Sequence, residues 1–392
     1  MVEFEFWWLL VIPFFFGLGW ISARIDIKQI ISESTDFPAA YFKGLHYLIT
    51  NQYDKATESL TEAVKADQNS IEIHFALGNL LRRTGKLDKA ISLHIDLLEN
   101  REMSVNQKES VQAELAQDYF NAGLFDRSEE ILLSLSNDSY KKFKLNTLLE
   151  IYVKEREWEK AIKIAEQLEK ESGVSFRTEI SHYYCEIAIS MILSKNQNQA
   201  KNFLTKALDN HKNCDRANIL LGDIYENQGK LDEAISSWRK IEYQKPEYLG
   251  LVTSKIINAF QSQNKVNEGL SIISRYYDLY KLKTLLNTLF ETAIYNEGPK
   301  SAEKIARNEL IQRPSLIALD QLFQALAMTK NNQIDNIELI QQTIKNTIGD
   351  RRFYVCKSCG FKAKQFHWRC PACNSWESLP SEPKDITLDE VI

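Results

Sequence analysis

The sequence predicts an all-α protein: an array of helix pairs with an apolar membrane-spanning segment before it and a small metal-binding module after it. Three observations lead to this prediction. The run from Phe6 to Ala23 carries no charge; Gly44 and its surroundings recur at Gly78, one repeat period later; and two Cys-x-x-Cys pairs lie near the C-terminus. The chain has only 14 glycines and 8 prolines, which favours helix over sheet.

Composition limits the class of protein further. At 392 residues the chain is too long for one compact core. Its net charge of -5 argues against nucleic-acid binding over the whole surface. Four of the six cysteines cluster between positions 356 and 373, which indicates a metal site in a reducing compartment and not a disulfide framework.

Residues 1–24 are predicted to form a transmembrane anchor. As a helix the uncharged run would extend about 27 Å, close to the hydrocarbon thickness of about 30 Å. Trp7, Trp8 and Trp20 lie near its ends, where indoles favour the membrane interface. Arg24 and Lys28 follow the run and no basic residue precedes it. The positive-inside rule therefore predicts a single-pass inner-membrane protein with the bulk of the chain in the cytoplasm.

Three alternatives compete with the anchor. A buried core helix is disfavoured because the run is apolar on all sides and lies at a terminus. A cleaved signal peptide is disfavoured because the first residues include Glu3 and Glu5 and no A-x-A cleavage site follows. A segment that lies only at the membrane interface stays open. Residues 25–36 are expected to continue as a helical connector to the array.

Residues 37–348 are predicted to hold about eight or nine repeats. The clearest, from Asp215, has a fixed pattern: Gly222, Tyr225, Gly229, Leu231, Ala234, Trp238 and Pro246. Small residues such as Gly222 and Ala234 are expected where the two helices cross, Gly229 is expected in the left-handed turn between them, and Asp232 is expected to cap the second helix. This pattern resembles the tetratricopeptide repeat (TPR).

Stacked TPR units are expected to form a right-handed superhelix with a concave groove. The polar residues of the first helices are predicted to face this groove and contact partners: Asn79, Arg82, Arg83, Asp223, Glu226 and Asn227. The isolated Cys185 and Cys214 are interpreted as small buried thiols. The sequence contains no Gly-rich phosphate loop, paired-carboxylate motif or nucleophile elbow, and we therefore expect no enzyme activity.

Residues 349–380 are predicted to be a metal-binding module. Cys356 and Cys359 form one Cys-x-x-Cys turn, and Cys370 and Cys373 form a second after ten intervening residues. Four thiolates held in this way make a closed tetrahedral site for one zinc or iron ion. A redox-active Cys-x-x-Cys pair is the alternative. The segment resembles a shortened rubredoxin, although Asn374 replaces the glycine that usually follows the fourth cysteine.

The module is also basic and aromatic. Six lysines or arginines and no acid lie between Arg351 and Cys373, interleaved with Phe353, Tyr354, Phe361, Phe366 and Trp368. We expect the aromatic side chains to form the small core of the module or to dock it on the repeats, with solvated charges. Contact with a partner or with anionic lipid head groups, or binding of nucleic acid, remains an alternative. Residues 381–392 are predicted to be a disordered acidic tail.

An N-terminal anchor, a TPR array and a terminal four-cysteine knuckle, in this order, resemble the lipopolysaccharide assembly protein B family of Gram-negative bacteria. The resemblance implies an adaptor that binds the membrane protease FtsH and the lipid A pathway deacetylase and promotes degradation of that deacetylase. It also implies contact with other inner-membrane lipopolysaccharide assembly proteins and with membrane lipid, and no nucleic acid. Two other functions stay open: rubredoxin-type electron transfer through bound iron, and an RNA-binding ribbon on a TPR scaffold.

Overall fold

The structure is a computed structural model that describes residues 38–99, 102–329, 339–344, 346 and 352–385. The predicted anchor, with Trp7, Trp8, Trp20 and Arg24, and the connector lie outside these residues. Within the described ranges, no helix combines the length and the apolarity needed to cross a bilayer.

The chain divides into two compact units, one ending at Ile151 and the other beginning at Tyr152. The helices up to the division are α1 Ala39–Ile49, α2 Tyr53–Ala66, α3 Ile71–Arg83, α4 Leu87–Glu99, α5 Val105–Asn121, α6 Phe125–Ser134 and α7 Lys141–Glu155, which contains the boundary. Consecutive helices of this unit pack in pairs: α1 with α2, α3 with α4, and α5 with α6.

The second unit continues the same alternation. Its helices are α8 Trp158–Ser172, α9 Arg177–Leu193, α10 Gln197–Asn210, α11 Asp215–Asn227, α12 Leu231–Arg239, the short α13 Ile241–Gln244, α14 Thr253–Ser262, α15 Val266–Tyr280, α16 Lys283–Asn296, α17 Pro299–Gln312 and α18 Leu316–Met328. A 3-10 turn, Pro246–Leu251, joins α13 to α14. The mostly helical, TPR-like class predicted from the sequence is confirmed.

The small residues of the repeat lie where two helices approach closely. A Cβ atom on Gly222 would lie 2.2 Å from Nε1 of Trp238, which is fully buried in the partner helix, and Ala234 is fully buried as well. The same relation recurs in two earlier repeats, with Gly44 against Leu60 and Gly78 against His94. Each glycine therefore makes room for one large side chain of the paired helix.

The turns between paired helices use left-handed backbone. Gly229 has φ of +73° and a Cβ there would touch nothing, so glycine is favoured for its conformation alone. The predicted aspartate cap is wrong: Lys230 occupies the N-cap of α12, and Asp232 lies within the first turn. There the carboxylate still interacts favourably with the helix dipole, and it accepts a hydrogen bond from Gln263 at 2.9 Å.

The C-terminal module contains a three-stranded antiparallel sheet in the order β2-β1-β3, formed by β1 Arg352–Val355, β2 Lys362–Ala363 and β3 Lys384–Asp385. The sequence assigned residues 381–385 to a disordered tail, and the structure corrects this. β3 pairs with β1, Ser381 is buried, and Glu382 accepts hydrogen bonds from the amide and hydroxyl of Thr284, each at 2.7 Å. These residues are ordered because β1 and α16 supply partners that their own composition does not reveal.

Candidate metal centre and its docking surface

The four predicted ligands converge on one point. The Sγ atoms of Cys356, Cys359, Cys370 and Cys373 all lie within 4.8 Å of one another. Two pairs are closer: Cys356 to Cys373 at 3.7 Å, and Cys359 to Cys370 at 3.8 Å. Cys356 and Cys370 are buried, Cys373 is half-buried and Cys359 is exposed.

These separations fit a tetrahedral metal site. With a metal–sulfur distance of about 2.3 Å, the edge of a regular tetrahedron of sulfurs is about 3.8 Å. The two short separations match this edge, and the others, at no more than 4.8 Å, exceed it by at most about 1 Å. The four cysteines therefore suit one metal ion, zinc or iron, and when bound the ion would cross-link the two halves of the module.

Each Cys-x-x-Cys turn is closed by backbone hydrogen bonds. The amide of Gly360 donates to the carbonyl of Cys356 at 3.0 Å, and the amide of Asn374 donates to the carbonyl of Cys370 at 2.9 Å. Both closing residues have left-handed backbone, φ +75° at Gly360 and +62° at Asn374. Asparagine tolerates this conformation better than most residues, so the departure from the rubredoxin pattern leaves the second turn intact.

The local electrostatics favour thiolates unequally. Burial raises the pKa of Cys356, but hydrogen bonds from Ser378 and from the backbone amides of Cys359 and Ser358 bring it down to about 6. The pKa of Cys359 is raised to about 12: the amide of Phe361 lowers it, but burial and the neighbouring thiols outweigh that effect. Without a cation, four adjacent thiolates would repel one another, and a bound divalent ion removes this conflict.

The module docks on the helices of the second unit through its aromatic side chains. Trp376 stacks on the fully buried His182 of α9, with ring centroids 4.4 Å apart and planes 7° apart. Trp368 lies 5.1 Å and Phe366 lies 6.0 Å from the ring of Tyr248, in the turn after α13. Docking, the main expectation for these aromatic residues, is thus what the structure contains, whereas Phe361 remains 38% exposed.

Glu377 is the polar centre of this contact. One carboxylate oxygen accepts a hydrogen bond from Nε2 of His182 at 3.0 Å, and the other accepts one from Lys245. The Glu377 side chain is only 9% exposed. A weaker pair, Lys357 with Glu247 at 3.4 Å, lies at the exposed edge. Ser381 also donates a hydrogen bond to the carbonyl of Glu247.

The ionisation of these groups follows from burial and pairing. Burial raises the pKa of Glu377, but hydrogen bonds from His182 and Lys245 reverse this and bring it to about 2. Burial lowers the pKa of His182, with partial compensation from Glu377. At neutral pH the contact is therefore a carboxylate that accepts from a neutral imidazole and a lysine cation, the charge-assisted arrangement that stabilises a partly buried ion pair.

Two predicted groove residues pair with residues of the next repeat. Arg82 of α3 donates to Asp118 at 2.7 Å and to Glu114 at 2.6 Å, both on α5. Asp223 of α11 accepts from Lys255 of α14 at 2.6 Å and from the indole of Trp238 at 3.2 Å. These contacts link the first helices of successive repeats, so they stabilise the stacking of the array.

The other four groove candidates lie nearer to solvent, although Asn79 accepts a hydrogen bond from Arg82 of the same helix. Asn79 and Asn227 are exposed and Glu226 is partly exposed. Arg83 is exposed and its guanidinium lies over the ring of Tyr53, 5.3 Å from the ring centroid, in a cation–π contact.

The remaining cysteines are buried, as predicted. Cys185 of α9 and Cys214, which precedes α11, are both fully buried, with their Sγ atoms 3.9 Å apart. Burial raises the pKa of Cys185 well above its usual range, so the thiol form dominates and reactivity is low.

The sequence did not predict the residues of the helical repeats on which the metal module docks. His182, Lys245 and Tyr248 lie far from the four ligand cysteines in sequence and belong to two separate segments, α9 and the turn after α13. The one available signal was a histidine beside the aromatic pair Tyr183 and Tyr184, and its partner, Glu377, lies 195 residues later.

Comparison with known proteins agrees with both parts of this architecture. Residues 354–380 match the family model of the rubredoxin metal-binding domain, and residues 41–100 and 198–247 match that of the tetratricopeptide repeat. The lipopolysaccharide assembly protein B of Escherichia coli strain K12 is 26% identical over 374 residues, which cover 94% of this chain and 96% of that protein. The Haemophilus influenzae protein of the same name is 26% identical over 398 residues, 97% of this chain and 98% of its own length.

Solved structures resemble the chain more distantly. The C-terminal part of a TPR repeat-containing protein from Cytophaga hutchinsonii is 18% identical and covers 66% of this chain and 96% of its own, with a TM-score of 0.35. A TM-score this low carries no weight for the architecture, which rests on the helix pairs and on the family match.

Proposed function

This chain is a homologue of the proteins named lipopolysaccharide assembly protein B over 94% of its length, and on that premise we propose that it is a membrane-associated, non-enzymatic adaptor in lipopolysaccharide assembly. Specifically, the adaptor would bring the lipid A pathway deacetylase to the membrane protease FtsH and so promote degradation of the deacetylase. Residues 6–23 would hold the chain in the inner membrane, with the repeats in the cytoplasm.

The main structural support for this proposal is the docked metal module. A module of about 30 residues is too small to fold well without its ion. Here its aromatic and acidic side chains pack on α9 and on the turn after α13, so the ion also fixes a composite surface on the second unit. Such a surface is suited to binding a protein, and the tether would raise the local concentration of partners in the same membrane.

The proposed domains are the anchor at 1–24, the connector at 25–36, the repeats at 37–348 and the metal module from 349. The module extends to Asp385, which revises its predicted end. Asn79, Arg83, Glu226 and Asn227 are the proposed partner contacts. Arg82 and Asp223 would act chiefly by holding neighbouring repeats in place.

The proposal is tested by the lifetime of the deacetylase in a Gram-negative host that lacks its own copy of the adaptor. Full-length chain should shorten the half-life, and Cys370→Ser, which removes a buried metal ligand, should restore the long half-life. Cys185→Ala, at a buried thiol outside the metal site, is the matched control and should behave like the parent chain.

Purification in mild detergent provides an independent measurement. The parent chain should retain FtsH and the deacetylase, together with one metal ion per chain. An unchanged deacetylase half-life with and without the parent chain, at equal expression, would reject the degradation role.

A further inference from the structure

We propose that Cys359 is an oxidation site of the metal module, where a peroxide forms a disulfide with a second ligand cysteine, preferably Cys370, and thereby releases the metal and undocks the module. The proposal concerns the chemistry of the purified chain and is independent of which proteins the adaptor binds.

Exposure distinguishes Cys359 from the other ligands. Cys356 is 2% exposed, Cys370 is 0% exposed and Cys373 is half-buried, whereas Cys359 is exposed and its turn neighbours Ser358 and Gly360 are exposed too. A peroxide must reach the sulfur in line with its O–O bond, and only an accessible thiolate allows this approach. In the zinc-loaded form all four ligands are thiolates, so accessibility decides which one reacts.

The chemistry balances with one peroxide. The Cys359 thiolate attacks hydrogen peroxide, the O–O bond breaks, and a sulfenic acid and hydroxide form. The Cys370 thiolate then attacks the Cys359 sulfur, the new S–S bond forms and a second hydroxide leaves. Two sulfurs lose two electrons, the peroxide gains them, and protons from solvent convert the two hydroxides to water.

The second sulfur is close enough for this step. Sγ of Cys370 lies 3.8 Å from Sγ of Cys359, and a disulfide requires about 2.05 Å. We expect the exposed turn around Cys359 to move and close this gap, because the following Gly360 has few conformational restrictions. Two ligands would remain, which is insufficient to hold zinc in a closed site.

Loss of the ion would weaken the docking contact because a short hydrogen-bonded turn connects the metal ligands to the docking residues. The amide of Cys370 donates to the carbonyl of Ser375 at 2.9 Å, and the amide of Glu377 donates to the carbonyl of Trp368 at 2.8 Å. Trp376 and Glu377, the residues that contact His182, are thus carried by the second cysteine turn itself. Without the ion that fixes this turn, their positions are no longer enforced.

The first test uses the zinc-loaded parent chain in detergent, treated with hydrogen peroxide and followed by isotope-coded alkylation and mass spectrometry. Cys359 should be lost to alkylation at least tenfold faster than Cys185 and Cys214, the fully buried internal controls. Zinc should appear in solution at the same rate, as reported by a chelating dye, and hydrogen exchange of residues 368–382 should rise in parallel. A reductant plus zinc should restore all three signals.

The identity of the disulfide decides the site. A linkage that includes Cys359 supports the proposal, and a linkage of Cys356 with Cys373 overturns it. Zinc retention under peroxide that oxidises other proteins at equal dose would overturn it as well.

A second variant separates oxidation from metal binding. Cys359→His keeps four ligands, since three cysteines and one histidine form a common zinc site, but removes the exposed thiolate. Peroxide should release zinc from this variant at least tenfold more slowly than from the parent chain, and an equal rate would overturn the assignment to Cys359. If the variant fails to hold zinc, the identity of the disulfide in the parent chain still decides the question.

Discussion

Replacing Glu377 with glutamine should undock the metal module without removing any metal ligand. The carboxylate accepts from His182 and Lys245 within a contact that is only 9% exposed. These partners lower its pKa from the ordinary 4.5 to about 2. Since each pKa unit corresponds to about 1.4 kcal/mol, the ionised form stabilises the docked state by about 3 kcal/mol. This contribution is present above about pH 4.5 and is lost as the pH falls toward 2.

Glutamine keeps the shape of the side chain but loses the charge, so most of that stabilisation should disappear at neutral pH. A loss of about 2–3 kcal/mol raises the undocked population about 30- to 150-fold. Hydrogen exchange measured by mass spectrometry on the metal-loaded chain should accelerate by this factor in peptides covering 368–382 and in those covering His182. Metal content should stay at one ion per chain.

Glu247→Gln is the matched control. Glu247 also pairs with a lysine of the module, Lys357, but at 3.4 Å and with both side chains about half exposed. Exposed pairs contribute about 0–1 kcal/mol, so exchange should change less than about fivefold. If the two variants accelerate exchange equally, or if Glu377→Gln leaves it unchanged, the reasoning from burial and pairing is refuted.

Two further substitutions test the array itself by chemical denaturation. Burial raises the pKa of Asp215 from 3.8 to about 7, so the parent chain loses stability as the pH rises from about 4 to 7 and the buried carboxyl ionises. Relative to the parent chain, Asp215→Asn should therefore gain about 1.4 kcal/mol of unfolding free energy per pH unit over this range. A stability difference that does not change with pH would contradict this account. Gly222→Ala should lower the free energy of unfolding by about 1–3 kcal/mol because the new Cβ would lie 2.2 Å from Trp238. Gly229→Ala would bring its Cβ close to no other atom, so it should lower the free energy of unfolding by only about 1 kcal/mol, through the left-handed backbone. Equal denaturation midpoints for the two variants would argue against the close approach at Gly222.

The local features of this protein follow from short stretches of its sequence. Helix pairing could be predicted because the glycine-to-large-residue spacing that puts Gly222 against Trp238 lies within one repeat and is set by the geometry of two helices and their turn. The metal ligands could be predicted for the same reason: each Cys-x-x-Cys turn is closed by its own backbone, at Gly360 and at Asn374.

The position of the metal module and the set of accessible polar side chains depend instead on how distant elements pack. His182 and Glu377 are 195 residues apart, and a histidine or a glutamate alone does not indicate a docking site. They pair because burial in the folded chain removes their contact with water and each supplies the hydrogen bond that the other needs. Arg82 was predicted to contact a ligand, yet it donates to Asp118 of the next repeat, since helix stacking and not local sequence sets that neighbour. Short-range spacing is encoded by the period of a helix or turn, whereas contacts between distant segments depend on how whole elements pack, which no local pattern specifies.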